Sequence, residues 1–136
     1  MIGIDTNILV RYLTKDDDKQ STEVLNFLNQ YSGKESSIYI NNIVLTEIIW
    51  VLESAYEYSK QEISKAMKLI LQTPEFAFES HATIVKVLYE YEQATGVDFA
   101  DILISYTNTD KECYATYSLD RKAIASGYFR NLQDVE

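Results

Sequence analysis

The sequence contains few of the residues that build several common kinds of site. Among 136 residues there is one Cys, one His and one Pro, and the four Gly are widely separated. A single Cys excludes an internal disulfide, and one Cys with one His is too few for a structural zinc site of sulfur and nitrogen ligands. Any bound metal is therefore expected to have oxygen ligands. The separated glycines form neither a dinucleotide-binding pattern nor a phosphate-binding loop.

Long hydrophobic runs and an excess of positive charge are also missing. The longest apolar run, from Ile48 to Leu52, is far shorter than a membrane span, and the first residues lack the pattern of a signal peptide. Acidic residues outnumber basic ones by 21 to 12, and the formal net charge of −9 disfavours non-specific binding to polyanions. We expect a soluble cytoplasmic protein. With 46% hydrophobic residues, a single domain over residues 1–136 is expected.

The spacing of apolar residues predicts short strands that alternate with helices. In chain order the predicted elements are strand 2–5, helix 7–13, a helix from 16 that ends at Gly33, strand 38–40, helix 43–58, helix 60–71, strand 76–78, helix 81–95, helix 99–109, strand 113–117, helix 121–125 and strand 129–132. This alternation is typical of an α/β fold in which a parallel sheet is covered by helices on both faces. In such folds, ligands bind beyond the carboxyl ends of the strands.

Five acidic residues lie where a site could form. Glu47 is in a helix that is apolar on nearly every side, so we expect it to be buried and to require a partner or a cation. Asp101 precedes three large apolar residues and is expected to border the core, whereas Asp98 is expected mainly as a helix N-cap. Asp5 and Asp120 each stand at the carboxyl end of a predicted strand. If the carboxylates converge, their repulsion favours Mg²⁺ or Mn²⁺, which suit oxygen ligands and phosphate chemistry.

The segments that carry these acids resemble the four motifs of PIN-domain ribonucleases. They are IDTNILVR at 4–11, TEIIWVL at 46–52, DFADILI at 98–104 and TYSLD at 116–120. The chain length and the helix that contains Trp50 are most similar to the VapC toxins of bacterial toxin–antitoxin pairs. The resemblance implies a three-layer α/β/α sandwich with a central parallel sheet, and cleavage of RNA with Mg²⁺ or Mn²⁺. It also implies a homodimer that is inhibited by a small antitoxin protein.

The resemblance assigns roles to particular residues of this chain. It implies metal binding and catalysis by Asp5, Glu47, Asp101 and Asp120, with Asp98 as a further, less regular metal ligand. Residues in the positions of the polar groups that orient these acids are Thr6, Asn7 and Thr116.

Basic and apolar residues near these motifs are candidates for contacts with partners. The basic residues expected to contact RNA are Arg11, Lys15, Arg121, Lys122 and Arg130. The first two predicted helices carry more apolar residues than one buried stripe requires, among them Leu9, Tyr12, Leu13, Phe27 and Leu28. The resemblance implies that an antitoxin binds there.

Other kinds of function remain open from the sequence. A phospho-acceptor domain also gathers strand-end Asp residues, but it has a Lys after a late strand where this chain has Asp120 and Arg121. A haloacid-dehalogenase-like phosphatase has a second Asp at the position of Asn7. A non-catalytic RNA-binding or regulatory protein has no need of the acids. His81 is expected at a helix start and Cys113 in a buried strand, so neither indicates nucleophilic catalysis.

Overall fold

The computed structural model describes residues 1–134 of the chain. They belong to two compact units, which we call unit 1 (Met1–His81) and unit 2 (from Ala82 onward). Among the described residues, no helix is both long enough and apolar enough to cross a membrane.

Unit 1 contains a parallel sheet flanked by helices, as the sequence predicts. The strands are β1 (Ile2–Gly3), β2 (Ile38–Ile40) and β3 (Phe76–Phe78), and β2 is in the centre. The helices are α1 (Thr6–Thr14), α2 (Asp18–Asn29), α3 (Asn42–Ser54) and α4 (Lys60–Leu71). Because the strands are parallel, their carboxyl ends lie at one edge of the sheet.

Local sequence signals determine where the helices of unit 1 begin and end. The side chains of Asp17, Asn41 and Ser59 each accept a backbone N–H in the first turn of the helix that follows. In α4, the side chain of Glu62 accepts a hydrogen bond from the Ser59 backbone N–H, which completes a capping box. Lys15 ends α1 in the left-handed conformation, with φ 52°.

The core of unit 1 lies between the helices and the sheet. Helix α1 packs against α2 and α3, and α3 packs against α4. Tyr12 of α1 makes an edge-to-face contact with Phe76 of β3, with 5.8 Å between ring centroids. Fully buried side chains of this core include Leu9, Ile38, Ile40, Leu45, Ile48, Leu52, Ile63, Met67 and Ile70.

Unit 2 is built mainly from helices. These are α5 (His81–Gln93, beginning at the last residue of unit 1), α6 (Phe99–Asp110) and α7 (Arg121–Ala125). Tyr91 of α5 and Phe99 of α6 are both buried and make an edge-to-face ring contact at 5.7 Å. This contact and the buried Val87 and Ile102 form the centre of the unit.

The two strands predicted in unit 2, over 113–117 and 129–132, are not formed as strands. Their pairing is reduced to one parallel bridge between Tyr117 and Arg130. It rests on hydrogen bonds from the Arg130 N–H to the Thr116 carbonyl (2.8 Å) and from the Ser118 N–H to the Arg130 carbonyl (3.0 Å). Cys113 is exposed, so the expectation of a buried Cys within a strand is wrong.

Candidate active-site acids

In unit 1, Thr6 contacts both of the candidate acids. Asp5 caps α1, and its Oδ1 accepts a hydrogen bond from the Thr6 backbone N–H at 2.7 Å. The hydroxyl of Thr6 donates a hydrogen bond to Oε1 of Glu47 at 3.0 Å. Both carboxylates are exposed, so solvent reaches them directly. Thr6 therefore couples the start of α1 to the middle of α3.

The expectation that Glu47 is buried is wrong. Positions 43, 47 and 50 share one face of a helix, and on α3 this face points away from the core. Ile43 is 69% exposed and Trp50 is 67% exposed, and Glu47 lies between them on the same stripe. The opposite side of α3 supplies the buried residues Val44, Leu45, Ile48, Ile49 and Leu52. Because Glu47 is exposed to solvent, its charge does not require a buried partner or a cation.

The carboxyl edge of the sheet has a further acid, Glu79, which was not among the predicted site residues. Glu79 directly follows β3, and its Oε1 accepts a hydrogen bond from the Asn42 backbone N–H at 2.9 Å. The Oδ1 atom of Asn42 is buried and has no hydrogen-bond partner among the described residues. The signal that identifies Glu79 is the one used for Asp5 and Asp120, an acid placed after a strand.

In unit 2, two neighbouring acids act electrostatically on Asp101. The pKa of Asp101 is raised, first by partial burial and then by the negative charges of Asp98 and Asp120. A hydrogen bond from the Asp98 backbone opposes part of this increase. Asp98 occupies the N-cap position of α6, yet its side chain makes no capping hydrogen bond. The expected role of Asp98 as a helix cap is therefore wrong for its side chain.

Asp120 is both a helix cap and a candidate acid. Its Oδ1 accepts hydrogen bonds from the backbone N–H groups of Lys122 (2.9 Å) and Ala123 (3.4 Å), and its side chain is exposed. The hydroxyl of Thr116 accepts a hydrogen bond from the Asn108 side chain of α6 at 3.0 Å. Thr116 thus anchors the segment before Asp120 to α6.

The candidate acids of each unit carry the type of donor atom that a hard cation prefers. Within neither unit do three or more Asp, Glu, His or Cys side chains of residues 1–134 form a group that could hold a metal ion as arranged. The available donors are carboxylate oxygens, which Mg²⁺ and Mn²⁺ prefer. The charges on Asp98 and Asp120 disfavour ionisation of Asp101, and a nearby cation would remove this cost.

Arg11, a predicted RNA contact, is held by neighbours within unit 1. Its Nη1 forms a salt bridge with Asp16 Oδ1 at 2.8 Å and donates to the Tyr56 hydroxyl at 3.3 Å, and its Nε donates to Gln20 at 2.5 Å. The Tyr56 hydroxyl donates to Asp16 Oδ2 at 2.7 Å. The hydrogen bond with Tyr56 is the largest cause of both the raised pKa of Arg11 and the lowered pKa of Asp16. These contacts join the end of α1 to the segment after α3.

Three of the other predicted basic contacts are exposed, and the fourth, Arg130, is half-buried like Arg11. Lys15 is exposed, and Arg121 and Lys122 are exposed in the first turn of α7, directly after Asp120. The guanidinium of Arg130 lies 5.8 Å from the centre of the Tyr114 ring.

Helices α1 and α2 enclose a groove with a volume of about 590 Å³. Ile8, Val24 and Phe27 line it together with polar residues, including the predicted orienting residue Asn7. Phe27 is 38% exposed, whereas Leu9 is fully buried. Leu9 is therefore a core residue and not part of a partner surface.

Known proteins resemble this chain over most of its length. Residues 2–107 match the family model of the PIN domain. The chain is also similar to a VapC ribonuclease from Aquifex aeolicus (strain VF5), with 26% identity over 102 residues. The matched region covers 75% of this chain and 74% of that protein.

Proposed function

We propose that this chain, which belongs to the PIN domain family, is an endoribonuclease and the toxin of a toxin–antitoxin pair. The observation that carries the proposal is the family match over residues 2–107, a range that includes Asp5, Glu47 and Asp101, three of the acids that we assign to the site. We treat residues 1–136 as one PIN-like domain that acts in the cytoplasm.

We assign metal binding and catalysis to Asp5, Glu47, Asp101 and Asp120, with Asp98 as a further ligand. Their oxygen donors suit Mg²⁺ or Mn²⁺, which when bound activates water and neutralises charge on a phosphate group. Partial burial of Asp101 beside two like charges supports this assignment, because an acid with a raised pKa is a common mark of a functional site.

Several side chains of this protein are assigned to orientation and to substrate binding. Thr6 holds Glu47 through its hydroxyl and supports Asp5 through its backbone N–H. Arg121 and Lys122 are well placed to contact RNA phosphates because they are exposed and follow Asp120 directly. With a net charge of −9, the protein depends on few such contacts, so its affinity should change only weakly with salt concentration.

Cleavage of RNA by the purified protein tests this function. Protein freed of antitoxin should cut single-stranded RNA with Mg²⁺ or Mn²⁺ and should stop when EDTA is added. Asp101→Asn should abolish cleavage, whereas Asp18→Asn, an exposed acid in the first turn of α2, should retain it. Full cleavage in excess EDTA, or full activity of the Asp101→Asn protein, would contradict the proposal.

We propose a small antitoxin as the partner and a homodimer as the assembly. The groove between α1 and α2, with Phe27 on its wall, offers apolar surface for a peptide segment. Co-expression with the neighbouring small open reading frame should give a complex that Phe27→Ser weakens. Light scattering should give the mass of a dimer. A protein that is monomeric at all concentrations would count against the homodimer, and the absence of a co-purifying small protein would count against the antitoxin.

A further inference from the structure

Unit 2 contains a polar cleft that none of the roles above uses. It has a volume of about 430 Å³, which is within the range of about 300–1,000 Å³ typical of small-ligand pockets. The cleft lies between the end of α5, the loop that leads to α6 and the end of α7. The residues that line it include Glu90, Gln93, Thr95, Val97, Ser126 and Tyr128.

Glu90 is the only charged group among the described lining residues, and two phenols hold its carboxylate. Tyr106 donates a hydrogen bond to Glu90 Oε1 at 3.1 Å, and Tyr128 is also hydrogen-bonded to Glu90. A carboxylate can accept about four hydrogen bonds, so acceptor positions remain for a ligand. The two phenol rings pack against each other with centroids 6.4 Å apart, which fixes the ring of Tyr128 at the wall of the cleft.

These groups favour a flat ligand that donates hydrogen bonds. A phosphate group is disfavoured because no Lys or Arg is among the described lining residues and Glu90 would repel it. Proteins read single-stranded RNA by stacking its bases on aromatic rings and by hydrogen bonding to the edges of the bases. Guanine carries two neighbouring N–H donors on one edge, and these match two acceptor positions of a carboxylate.

The walls of the cleft are continuous in sequence with the candidate acids of unit 2. Val97 immediately precedes Asp98, and Ser126 ends the short helix α7 that Asp120 caps. Five helical residues rise only about 7.5 Å, so the cleft is about one nucleotide away from Asp120 along α7. We infer that this cleft binds one base of the RNA substrate next to the cut, with guanine preferred, which rests on the ribonuclease function proposed above.

Cleavage of a randomised single-stranded RNA library tests the inference. The wild-type protein should show guanine enriched at one fixed position relative to the cut. Glu90→Gln removes the charge but keeps the shape, and should reduce this enrichment about tenfold while cleavage of the library continues. Tyr128→Leu removes the stacking ring and should raise KM about tenfold, with a smaller effect from Tyr128→Phe. Glu35→Gln, the same change at an exposed residue of unit 1, is the matched control.

The outcomes separate this inference from the proposed function. If the wild-type protein cuts RNA and its base preference is unchanged in Glu90→Gln and Tyr128→Leu, the cleft is not a base site although the ribonuclease function stands. If the protein cuts no RNA, NMR spectra recorded as guanosine is added test the cleft independently of cleavage. Shifts at Thr95 and Ser126 that Glu90→Gln weakens, and that are smaller with inosine, support a guanine site. The inference would be overturned if guanosine caused no chemical-shift changes in the cleft, or if only a simple diamine, which has no base, caused them.

Discussion

The phenol of Tyr128 is expected to ionise at far higher pH than an ordinary tyrosine. Burial, followed by the charge and the hydrogen bond of Glu90, raises the pKa of Tyr128 from 10.0 to about 12. At about pH 11 an ordinary tyrosine is roughly nine-tenths ionised, whereas Tyr128 should be about one-tenth ionised. Tyr128→Phe removes this group and keeps its ring.

The same shift makes a prediction about stability. Because the folded protein resists ionisation of Tyr128, stability is fully present below about pH 10 and is lost as the pH rises towards 12. Linkage gives a loss of about 1.4 kcal/mol by pH 11, which solvent screening at this half-buried ring reduces to about 1 kcal/mol. Between about pH 9 and pH 11, the wild-type protein should therefore lose about 1 kcal/mol more than Tyr128→Phe.

Rapid pH jumps monitored by tyrosinate absorbance measure the ionisation before the protein unfolds. The chain has 11 Tyr, so the wild-type signal minus that of Tyr128→Phe isolates one phenol. Glu90→Gln should lower the midpoint of Tyr128 only in part, because burial is the largest cause of its shift. Tyr89→Phe, which removes an exposed phenol of α5, is the control. A midpoint near 10 for Tyr128 would refute the packing of Tyr128 against Glu90.

Three further substitutions test other parts of the structure. Asp101→Asn should raise the melting temperature of the metal-free protein at neutral pH, because an acid with a raised pKa destabilises the fold once it is ionised. This gain in melting temperature should vanish as the pH falls below 3.8. Equal melting temperatures of the two proteins at pH 7, measured by calorimetry, would contradict the prediction. Tyr56→Phe should lower stability to urea at neutral pH, because the lowered pKa of Asp16 stabilises the fold above pH 3.8. The difference from the wild-type protein should shrink as acid protonates Asp16. A difference that does not change with pH would argue against the contacts among Arg11, Asp16 and Tyr56. Met67→Ala should cost about 2–5 kcal/mol in urea unfolding because Met67 is fully buried, and a cost below about 1 kcal/mol would show that the site is not packed as described.

The sequence by itself determined the features that depend on neighbouring residues. Helix α4 has the predicted limits because Ser59 and Glu62 form a capping box at its start and Pro74 follows its end. Strands β2 and β3 also lie where β-prone residues predict them. The acids of the motifs were identified for the same reason, since residue type and spacing are properties of the chain alone.

Only the tertiary structure decided which way the side chains face and what they contact. The apolar neighbours of Glu47 predict burial, but α3 has its core on the other side. The side chain of Arg11 is bound by Tyr56, a residue 45 positions away. Glu90, Tyr106 and Tyr128 meet in one cluster although no motif unites them. Contacts between residues distant in sequence depend on how whole elements pack, and the local pattern of residues does not contain that information.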